Sequence, residues 1–298
     1  MHTSPLATIR QLRYFVATAQ TGSATRAAAL LNVSQPSVSA AIRELEVELG
    51  QPLFHRRHAQ GLELTGFGAD RLARARAVLD AGTEFMTTAA TTTHLTLGYF
   101  ETLGPLWVPG MAAALTAAVP GLVLDLLEGD LEQMTRALER GKVDLALIYD
   151  IGLPATIARD TITEMAPYAL MAPGHPLAAQ SSVTLEALAA YPFILVDLPV
   201  SREFLMVPFW QKGLAPRILL RTRSVDMVRS MVAQSDAVSL LFTPAMHDQT
   251  SGGHRVISKP LPQIGTRQRL VVGRASTAVA GRIGDLAVAA IRASFAMS

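Results

Sequence analysis

The chain has 298 residues, a formal net charge of +2 and no cysteine, and half of its residues are hydrophobic. This length suits two or three domains of ordinary size. The absence of cysteine excludes disulfides, thiolate metal sites and a cysteine nucleophile, and it fits a reducing cytoplasm. No apolar run is long enough to span a bilayer and no secretory signal begins the chain, so we expect a cytoplasmic protein without a membrane partner.

The first pattern in the chain predicts a support helix followed by two short helices joined by a tight turn. The support helix runs from Thr8 to Thr21. Ser23 is placed to cap the next helix, which ends near Leu31. Ser34 is placed to cap the last one, with Pro36 in its first turn, where a missing N–H costs nothing. Such a pair is typical of a helix-turn-helix.

The last helix of this group has an apolar stripe and a polar face. The stripe consists of Val38, Ile42, Leu45 and Leu49. Arginine and glutamine can make paired hydrogen bonds to base edges, and serine reaches bases or phosphates. The residues predicted to contact double-stranded DNA here are Ser34, Gln35, Pro36, Ser37, Ser39 and Arg43. The alternative is an ordinary helix pair packed inside another fold.

A basic hairpin is predicted directly after this helix. An extended segment begins at Pro52–Phe54, turns near Gln60–Gly61 and returns as Leu62–Leu64. Arg56 and Arg57 lie on it between two histidines, where they could contact the phosphate backbone or the minor groove. The competing interpretation is a solvated charged hairpin.

These residues together resemble the LysR-type transcriptional regulators. The resemblance is carried by the following segments: Phe15–Ala17, Gly22–Ser23, Ala27–Ala28, Leu31–Ser39, Ile42–Glu46, Leu49–Gly50 and Pro52–Phe54. It implies a winged helix-turn-helix, a dimerising linker helix and a C-terminal two-lobed domain like the type 2 periplasmic binding proteins. It also implies a homodimer or homotetramer that contacts RNA polymerase. Ala24 and Ala40 depart from the family pattern, and Ala40 removes a possible DNA contact.

A long linker helix is predicted from a cap at Thr65 to about Thr88. A narrow seam for a second copy of the chain is predicted at Leu72, Ala75, Leu79, Gly82 and Met86. Gly66, Gly68 and Gly82 should each weaken an interior helical turn by about 1 kcal/mol. The threonine-rich run from Thr87 to Thr93 is interpreted as a hinge.

The rest of the chain alternates short apolar strands with helices, which predicts an α/β fold with a mostly parallel sheet. The predicted strands are Leu95–Phe100, Leu122–Leu127, Asp144–Ile148, Tyr168–Met171, Phe193–Val196, Arg217–Arg221, Ala237–Phe242 and Arg269–Val272. The predicted helices are Leu103–Val119, Leu131–Arg140, Leu185–Ala190, Arg202–Lys212, Ser224–Ala233 and Ala278–Phe295. Connections at Met165–Pro167 and Lys259–Pro262 would join two lobes.

The predicted domains follow from these patterns and from the resemblance. Residues 1–65 form the winged helix-turn-helix, and residues 66–93 form the linker helix and hinge. Residues 94–298 form the effector-binding domain, with lobe I at 94–165 and 263–298 and lobe II at 166–262.

Ligands of such sheets bind beyond the carboxyl ends of the strands, and this rule selects the candidate effector site. The candidates are Glu101, Thr102, Tyr149, Asp150, Leu198, Ser201, Arg202, Thr243 and Pro244. Thr102 and Ser201 precede helices and, with Arg202, would hold an anion. Glu101 and Asp150 favour an amine or hydroxyl, so we expect a small polar metabolite with both characters. Alternatively, the two hydroxyls are only helix caps and the acids are only solvated.

No pattern of catalytic residues, and no phosphate-binding glycine loop, is present in the sequence. We therefore predict no enzyme activity, no cofactor and no metal site; His247 and His254 alone are a weak metal signal. The leading hypothesis is a sequence-specific DNA-binding regulator controlled by a small-molecule effector. The alternatives are an architectural DNA-binding protein whose C-terminal domain only oligomerises, and an enzyme fused to a DNA-binding module.

Overall fold

The N-terminal unit contains three helices and a hairpin in a computed structural model that describes residues 7–57, 61–86, 93–244, 247–275 and 282–296. The helices are α1 (Ile9–Thr21), α2 (Ala24–Leu31) and α3 (Gln35–Leu49). Strands β1 (Phe54–Arg57) and β2 (Gly61–Leu64) pair antiparallel as the wing. The helix-turn-helix and its wing therefore have the predicted order, and the turn at Gln60 lies outside the described residues.

The predicted caps of the helix-turn-helix are confirmed. The Ser23 hydroxyl accepts a hydrogen bond from the Arg26 backbone N–H, and the Ser34 hydroxyl accepts one from the Ser37 N–H. Ala27 and Ala28 are buried where α2 crosses its neighbours, because their small side chains let the helices approach closely. The capped start of α3 fixes which face of the helix points outward.

The long helix α4 (Gly66–Met86) follows the wing, and the Thr65 hydroxyl caps it by accepting from the Gly68 N–H at 2.8 Å. A Cβ atom on Gly68 would lie only 2.1 Å from the Leu53 carbonyl oxygen. This glycine is therefore required for close packing, which the sequence did not indicate. Leu72 and Ala75 are buried against the chain's own N-terminal core, so the prediction that these two belong to an inter-chain seam is wrong.

Lobe I is a five-stranded sheet with helices packed on it. Its strands are β3 (Thr93–Phe100), β4 (Leu122–Gly129), β5 (Leu145–Tyr149), β6 (Ile157–Met165) and β12 (Gln268–Ala275), in the order β4-β3-β5-β12-β6. Its helices are α5 (Gly104–Ala118), α6 (Leu131–Glu139) and α10 (Arg282–Ala296). Strands β3, β4 and β5 are parallel, whereas β12 runs antiparallel to both neighbours.

Lobe II is built from the middle of the C-terminal half. Its strands are β7 (Tyr168–Met171), β8 (Phe193–Val196), β9 (Ile218–Thr222), β10 (Ser239–Leu241) and β11 (Ile257–Pro260). Its helices are α7 (Leu185–Ala189), α8 (Ser201–Gln211), α9 (Val225–Ala233) and a 3-10 turn at Pro176–Ala179. Strand β7 pairs antiparallel with β10 and β11, β8 pairs parallel with β9, and a bridge from Phe193 to Val238 joins the two groups.

Strands β6 and β11 are absent from the sequence prediction. The segment of β6, IARDTITEM, alternates half-buried and exposed residues and holds an arginine, an aspartate and a glutamate, so it has no apolar run to mark it. Strand β11 includes Lys259 and Pro260, which were interpreted as connection. The chain passes between the sheets after Met165 and again between Pro260 and Gln268, so lobe I is formed from both ends of the C-terminal half. No helix in the described parts of the chain is long and apolar enough to cross a membrane.

His175 is a titratable residue in the core of lobe II, so it can make the stability of this lobe depend on pH. It is buried, packs edge-on against Tyr191, and its Nδ1 accepts from the Leu177 N–H at 3.1 Å. Burial lowers the pKa of His175, partly opposed by the charge of Asp236. The unfolded chain then binds the proton more readily, so we expect the free energy of unfolding to fall as the pH drops below the ordinary value of 6.5.

The measurement is urea denaturation of the wild type and of His175→Asn across this pH range. Asparagine can still accept from the Leu177 N–H but does not titrate. The variant should therefore lose stability less steeply with falling pH. Equal pH dependence in the two proteins would contradict this role of His175.

Candidate functional site

The outward face of α3 carries the residues predicted to read DNA. Ser34, Gln35, Pro36, Ser37 and Arg43 are exposed, and Ser39 is half-buried. Their polar groups bond mainly to one another. The hydroxyls of Ser34 and Ser37 lie 2.7 Å apart, Gln35 donates to the Ser39 hydroxyl, and Arg43 Nε donates to the Ser39 carbonyl. These local bonds can be exchanged for bonds to bases or phosphates at low cost, because the side chains of Ser34, Gln35, Ser37 and Arg43 are exposed.

Arg56 and Arg57 lie on β1, at the end of the wing that leads to its turn. The backbone of Arg56 pairs with Leu62 and that of Arg57 with Gly61. Their side chains lie outside the described part of the structure, so their contact with DNA stays a prediction.

A cleft of about 650 Å³ lies between the two lobes. Four of the predicted effector residues line it: Glu101, Thr102, Thr243 and Pro244. The first turns of two helices, α5 at Pro105 and α9 at Val225, also border it. The volume is in the range that holds a small metabolite. Residues selected because they follow the carboxyl ends of strands therefore line the cleft.

A cluster of four hydroxyl residues joins the lobes beside the cleft, and three of the four line it. It consists of Thr102 and Tyr149 from lobe I and Tyr168 and Thr243 from lobe II; we call it the hydroxyl cluster. Tyr149 Oη and Thr243 Oγ1 are 2.7 Å apart, and Thr102 Oγ1 is 3.4 Å from each of them. Tyr168 Oη donates to the Thr243 carbonyl at 2.7 Å.

Both tyrosines of the hydroxyl cluster stay neutral near pH 7. Burial raises the pKa of Tyr149, although its bonds to Thr102 and Thr243 oppose the shift. Burial likewise raises the pKa of Tyr168 to about 12, and the positive charge of Arg229 reduces the effect. The cluster is therefore a set of neutral donors and acceptors that can rearrange around a polar ligand.

Arg223 bridges the mouth of the cleft. Its Nη2 lies 3.2 Å from Glu101 Oε2 and 3.4 Å from Asp130 Oδ2, so a lobe II cation is paired with two lobe I carboxylates. The hydrogen bond to Glu101 is the main reason that the pKa of Arg223 is raised. Asp130 also caps α6 through its other oxygen, which fixes its position. Glu101 is consequently engaged by a cation and does not stand free for a ligand amine.

A smaller cavity of about 40 Å³ adjoins the cleft and shares Thr102 and Thr243 with it. Three other predicted residues, Tyr149, Leu198 and Ser201, line this cavity, and its walls are otherwise mostly apolar. This space suits about one water molecule or a ligand substituent of that size.

Ser201 is not the helix cap considered in the sequence alternative. It is the first residue of α8, and Val200 occupies the cap position without a side-chain bond. Val200 has φ of +65° and sits in a γ-turn closed by the Ser201 N–H and the Pro199 carbonyl at 2.7 Å. The Ser201 hydroxyl is buried and has no hydrogen-bond partner among the described residues. A ligand in the small cavity would supply one.

Asp150 and Arg202 lie outside both cavities. Asp150 pairs with Arg159 at 3.1 Å and Arg269 at 2.7 Å. Arg202 pairs with Asp197 at 2.8 Å and Glu203 at 2.7 Å. Because each charge already has partners of opposite sign, neither is free to bind an effector.

Sequence reasoning missed Arg223 and Arg229, which line the cleft, and it gave Tyr168 only as an aromatic residue that fills a core or lines the cleft. Arg223 follows strand β9, so the rule used for Thr102 could have identified it. Tyr168 begins a strand and Arg229 lies within α9, where no rule of strand ends applies.

Comparison with known proteins places both halves of the chain in families. Residues 9–69 match the bacterial regulatory helix-turn-helix proteins of the lysR family. Residues 89–282 match the LysR substrate binding domain. The second match alone covers more than half of the chain.

Individual relatives agree with these matches. A probable hydrogen peroxide-inducible genes activator of Mycobacterium avium is 36% identical over 198 residues, which cover 64% of this chain and 62% of the relative. HinK, a LysR family transcriptional regulator from Pseudomonas aeruginosa, is 32% identical with a TM-score of 0.65 and coverage of 97% of this chain and 98% of HinK. Full-length CbnR, crystallised with its target DNA, shares the fold at 22% identity and a TM-score of 0.56, covering 97% of this chain and 99% of CbnR.

The bond between Tyr149 and Thr243 can be tested by a double-mutant cycle. Tyr149→Phe and Thr243→Val should each lower the free energy of unfolding by about 1 kcal/mol or more. Each variant removes one hydroxyl of the bonded pair and leaves the other buried hydroxyl without this bond. The double variant should lose less than the sum of the two. Urea denaturation measures all four proteins, and strictly additive losses would mean that the two hydroxyls do not interact.

Proposed function

This chain is a member of the LysR family of transcriptional regulators, and on that premise we propose that it binds DNA through α3 and the wing and binds a small effector in the interlobe cleft. The observation that carries the effector half is the cleft itself, which has a volume of about 650 Å³ and is lined in part by the hydroxyl cluster that belongs to both lobes. A ligand that replaces bonds between the lobes favours one arrangement of the lobes over another. That difference is what an effector needs to shift an equilibrium.

The DNA half of the proposal is supported by the accessible polar face of α3 and the basic wing beside it. Gln35 and Arg43 have the donor geometry for base edges, and the serines can reach phosphates. In the CbnR structure a regulator of this fold is complexed with its target DNA. We extend that role to this chain, acting as a homodimer or homotetramer and contacting RNA polymerase at the promoter from a cytoplasmic location.

A thiol switch is not available to this chain. The Mycobacterium avium relative is named as a probable activator of hydrogen peroxide-inducible genes, and peroxide commonly acts on proteins by oxidising a cysteine thiolate. This sequence contains no cysteine. A reversibly bound ligand is therefore the better explanation for the cleft than oxidation of a thiol.

A polar contact connects the linker helix to lobe I in the same chain. Arg76 of α4 donates to the Gly141 carbonyl and lies 3.7 Å from Asp144 Oδ1. Asp144 also accepts from the Thr96 N–H at 2.7 Å, which ties the contact to β3. Strand β3 leads to Glu101 and Thr102 at the cleft. We propose that changes at the cleft reach the DNA-binding unit through this contact.

Arg43→Ala should relax sequence preference, because it removes a side chain that can bond two positions on a base. The loss of binding free energy should be about 1–3 kcal/mol on the preferred site.

Arg56→Ala should weaken binding to all DNA sequences about equally, since a phosphate contact carries no sequence information. It should also reduce the slope of log affinity against log salt concentration by about 0.9. Fluorescence anisotropy with the chain's own upstream region and with a scrambled duplex measures both.

The control for these variants is Arg136→Ala, which removes one positive charge from the surface of lobe I, where Arg136 pairs with Glu132. It should leave both affinity and preference unchanged. Unchanged binding in Arg43→Ala would show that the reading face of α3 was assigned to the wrong residues.

The effector site is tested by thermal shift with a metabolite library, comparing wild type with Ser201→Ala. The buried hydroxyl of Ser201 has no partner in the described part of the chain, so a ligand that bonds it should stabilise the variant less than the wild type. Ser258→Ala, an exposed change on β11, is the matched control. A hit that stabilises all three proteins equally removes Ser201 from the site.

Footprinting of the upstream region with and without such a hit distinguishes a regulator from the architectural alternative. A regulator should change the extent or bending of its footprint when the ligand binds. A footprint that stays the same with every bound ligand would favour a C-terminal domain that only oligomerises.

A further inference from the structure

Arg229 is a buried cation on the wall of the cleft. It lies within α9, and only 7% of its surface is exposed. Its Nη2 donates to the carbonyl of His247 and, at 3.0 Å, to that of Gln249. Its Nη1 is buried and has no hydrogen-bond acceptor among the described residues. Within the same described ranges, no carboxylate lies within 4 Å of the guanidinium.

This arrangement leaves a positive charge without a counter-charge. A guanidinium stays protonated in proteins, and burying a charge is costly unless it is paired. The two carbonyls satisfy one nitrogen but bring no negative charge. The Tyr168 hydroxyl lies close enough to Arg229 for a weak side-chain hydrogen bond, but it brings no negative charge, because Tyr168 has a pKa of about 12 and is neutral near pH 7.

The carboxylates around the cleft are engaged elsewhere. Glu101 faces Arg223, and Asp226 lies 3.5 Å from the Ser251 hydroxyl. Glu128 is hydrogen-bonded to the Tyr99 side chain and helps to raise the pKa of Tyr99. Asp248, one residue from the His247 and Gln249 carbonyls, pairs with Arg255 at 2.9 Å. Arg229 is thus the cation of the described cleft wall that still needs an anion.

The N-termini of two helices reinforce this preference. The first turns of α5 and α9 border the cleft, and the start of a helix favours negative charge. A multiply charged anion would be repelled by Glu128 and Asp226, which line the same space. One unpaired arginine among these acids matches one negative charge.

Resting on the effector role proposed above, we infer that the effector is a small organic acid whose single carboxylate pairs with Arg229. The carboxylate accepts from the unsatisfied Nη1, and the rest of the molecule lies against the hydroxyl cluster. This replaces Arg202, the anion-binding residue expected from the sequence, whose guanidinium is held by Asp197 and Glu203. Arg223 is unsuited because two carboxylates already occupy it.

The experiment is thermal unfolding of the full chain titrated with acetate, propionate and benzoate. Their amides, acetamide, propionamide and benzamide, serve as neutral counterparts of the same shape, and ionic strength is kept constant by exchanging chloride for the carboxylate. We expect at least one acid to raise the melting temperature more than its amide, because only the acid supplies the charge. The inference is overturned if no acid exceeds its amide with the wild type.

Variants assign the effect to Arg229. Arg229→Gln should weaken the apparent affinity for the stabilising acid about tenfold or more, since it removes a charge-assisted hydrogen bond. Arg229→Lys keeps the charge but loses the forked geometry, so it should bind with intermediate affinity and covers the case in which Arg229→Gln does not fold. Arg136→Gln, which removes an exposed charge from the surface of lobe I away from the cleft, is the matched control and should respond like the wild type.

A purely structural role for Arg229 gives a different result. If the residue only anchors the loop at His247 and Gln249, Arg229→Gln will melt earlier but show the same acid-dependent shift as the wild type, and the inference fails. Binding of the upstream DNA is measured on the same preparations. If the wild type binds its upstream DNA specifically but its melting temperature does not respond to any acid, this inference alone is overturned. If the wild type shows no specific DNA binding, the proposed function is overturned.

Discussion

The C-terminal half depends on the path of the chain between two sheets. The chain leaves lobe I after Met165 and returns to it with β12 at Gln268, so the lobes are joined by two connections. Strands β3 and β5 of lobe I end at Phe100 and Tyr149, and β10 of lobe II ends at Leu241. The residues that follow or end these strands meet at one place. The hydroxyl cluster and the cleft are consequences of this topology.

The electrostatics of the cleft divide into satisfied and unsatisfied groups. Arg223 is matched by Glu101 and Asp130, which holds the lobes together at the mouth of the cleft in this state. The hydroxyls beside the cleft are neutral and satisfy one another. Within the described ranges the Ser201 hydroxyl and the Arg229 Nη1 have no hydrogen-bond partner, and a ligand gains most by bonding them, since unsatisfied buried polar groups are costly. The free-energy cost of these two unsatisfied groups is removed when a ligand bonds them.

The N-terminal unit was predictable because its information is local. Ser23, Ser34 and Pro36 fix where helices begin, and Val38, Ile42 and Leu45 fix which face of α3 is buried. These signals act over a few residues and do not depend on the rest of the chain. By contrast, Gly68 looked like a weakness in a helix and is instead the point where Leu53 packs, which only the tertiary structure decides. Leu72 and Ala75 gave a pattern equally suited to a second chain or to the chain's own core, and they pack in the core.

In the C-terminal half the sequence by itself determined the alternation of strands and helices and, through the ends of the strands, the place of Glu101, Thr102, Thr243 and Pro244 beside the cleft. It did not determine β6, because a partly exposed strand rich in charged residues leaves no apolar run. The sequence also did not determine which charged side chains have partners of opposite sign. The sequence does not show that Asp150 and Arg202 each have partners of opposite sign, or that Arg229 has none within the described structure. The pair of Asp150 and Arg269, for example, joins residues far apart in the chain, and the short distance between them exists only once lobe I has folded.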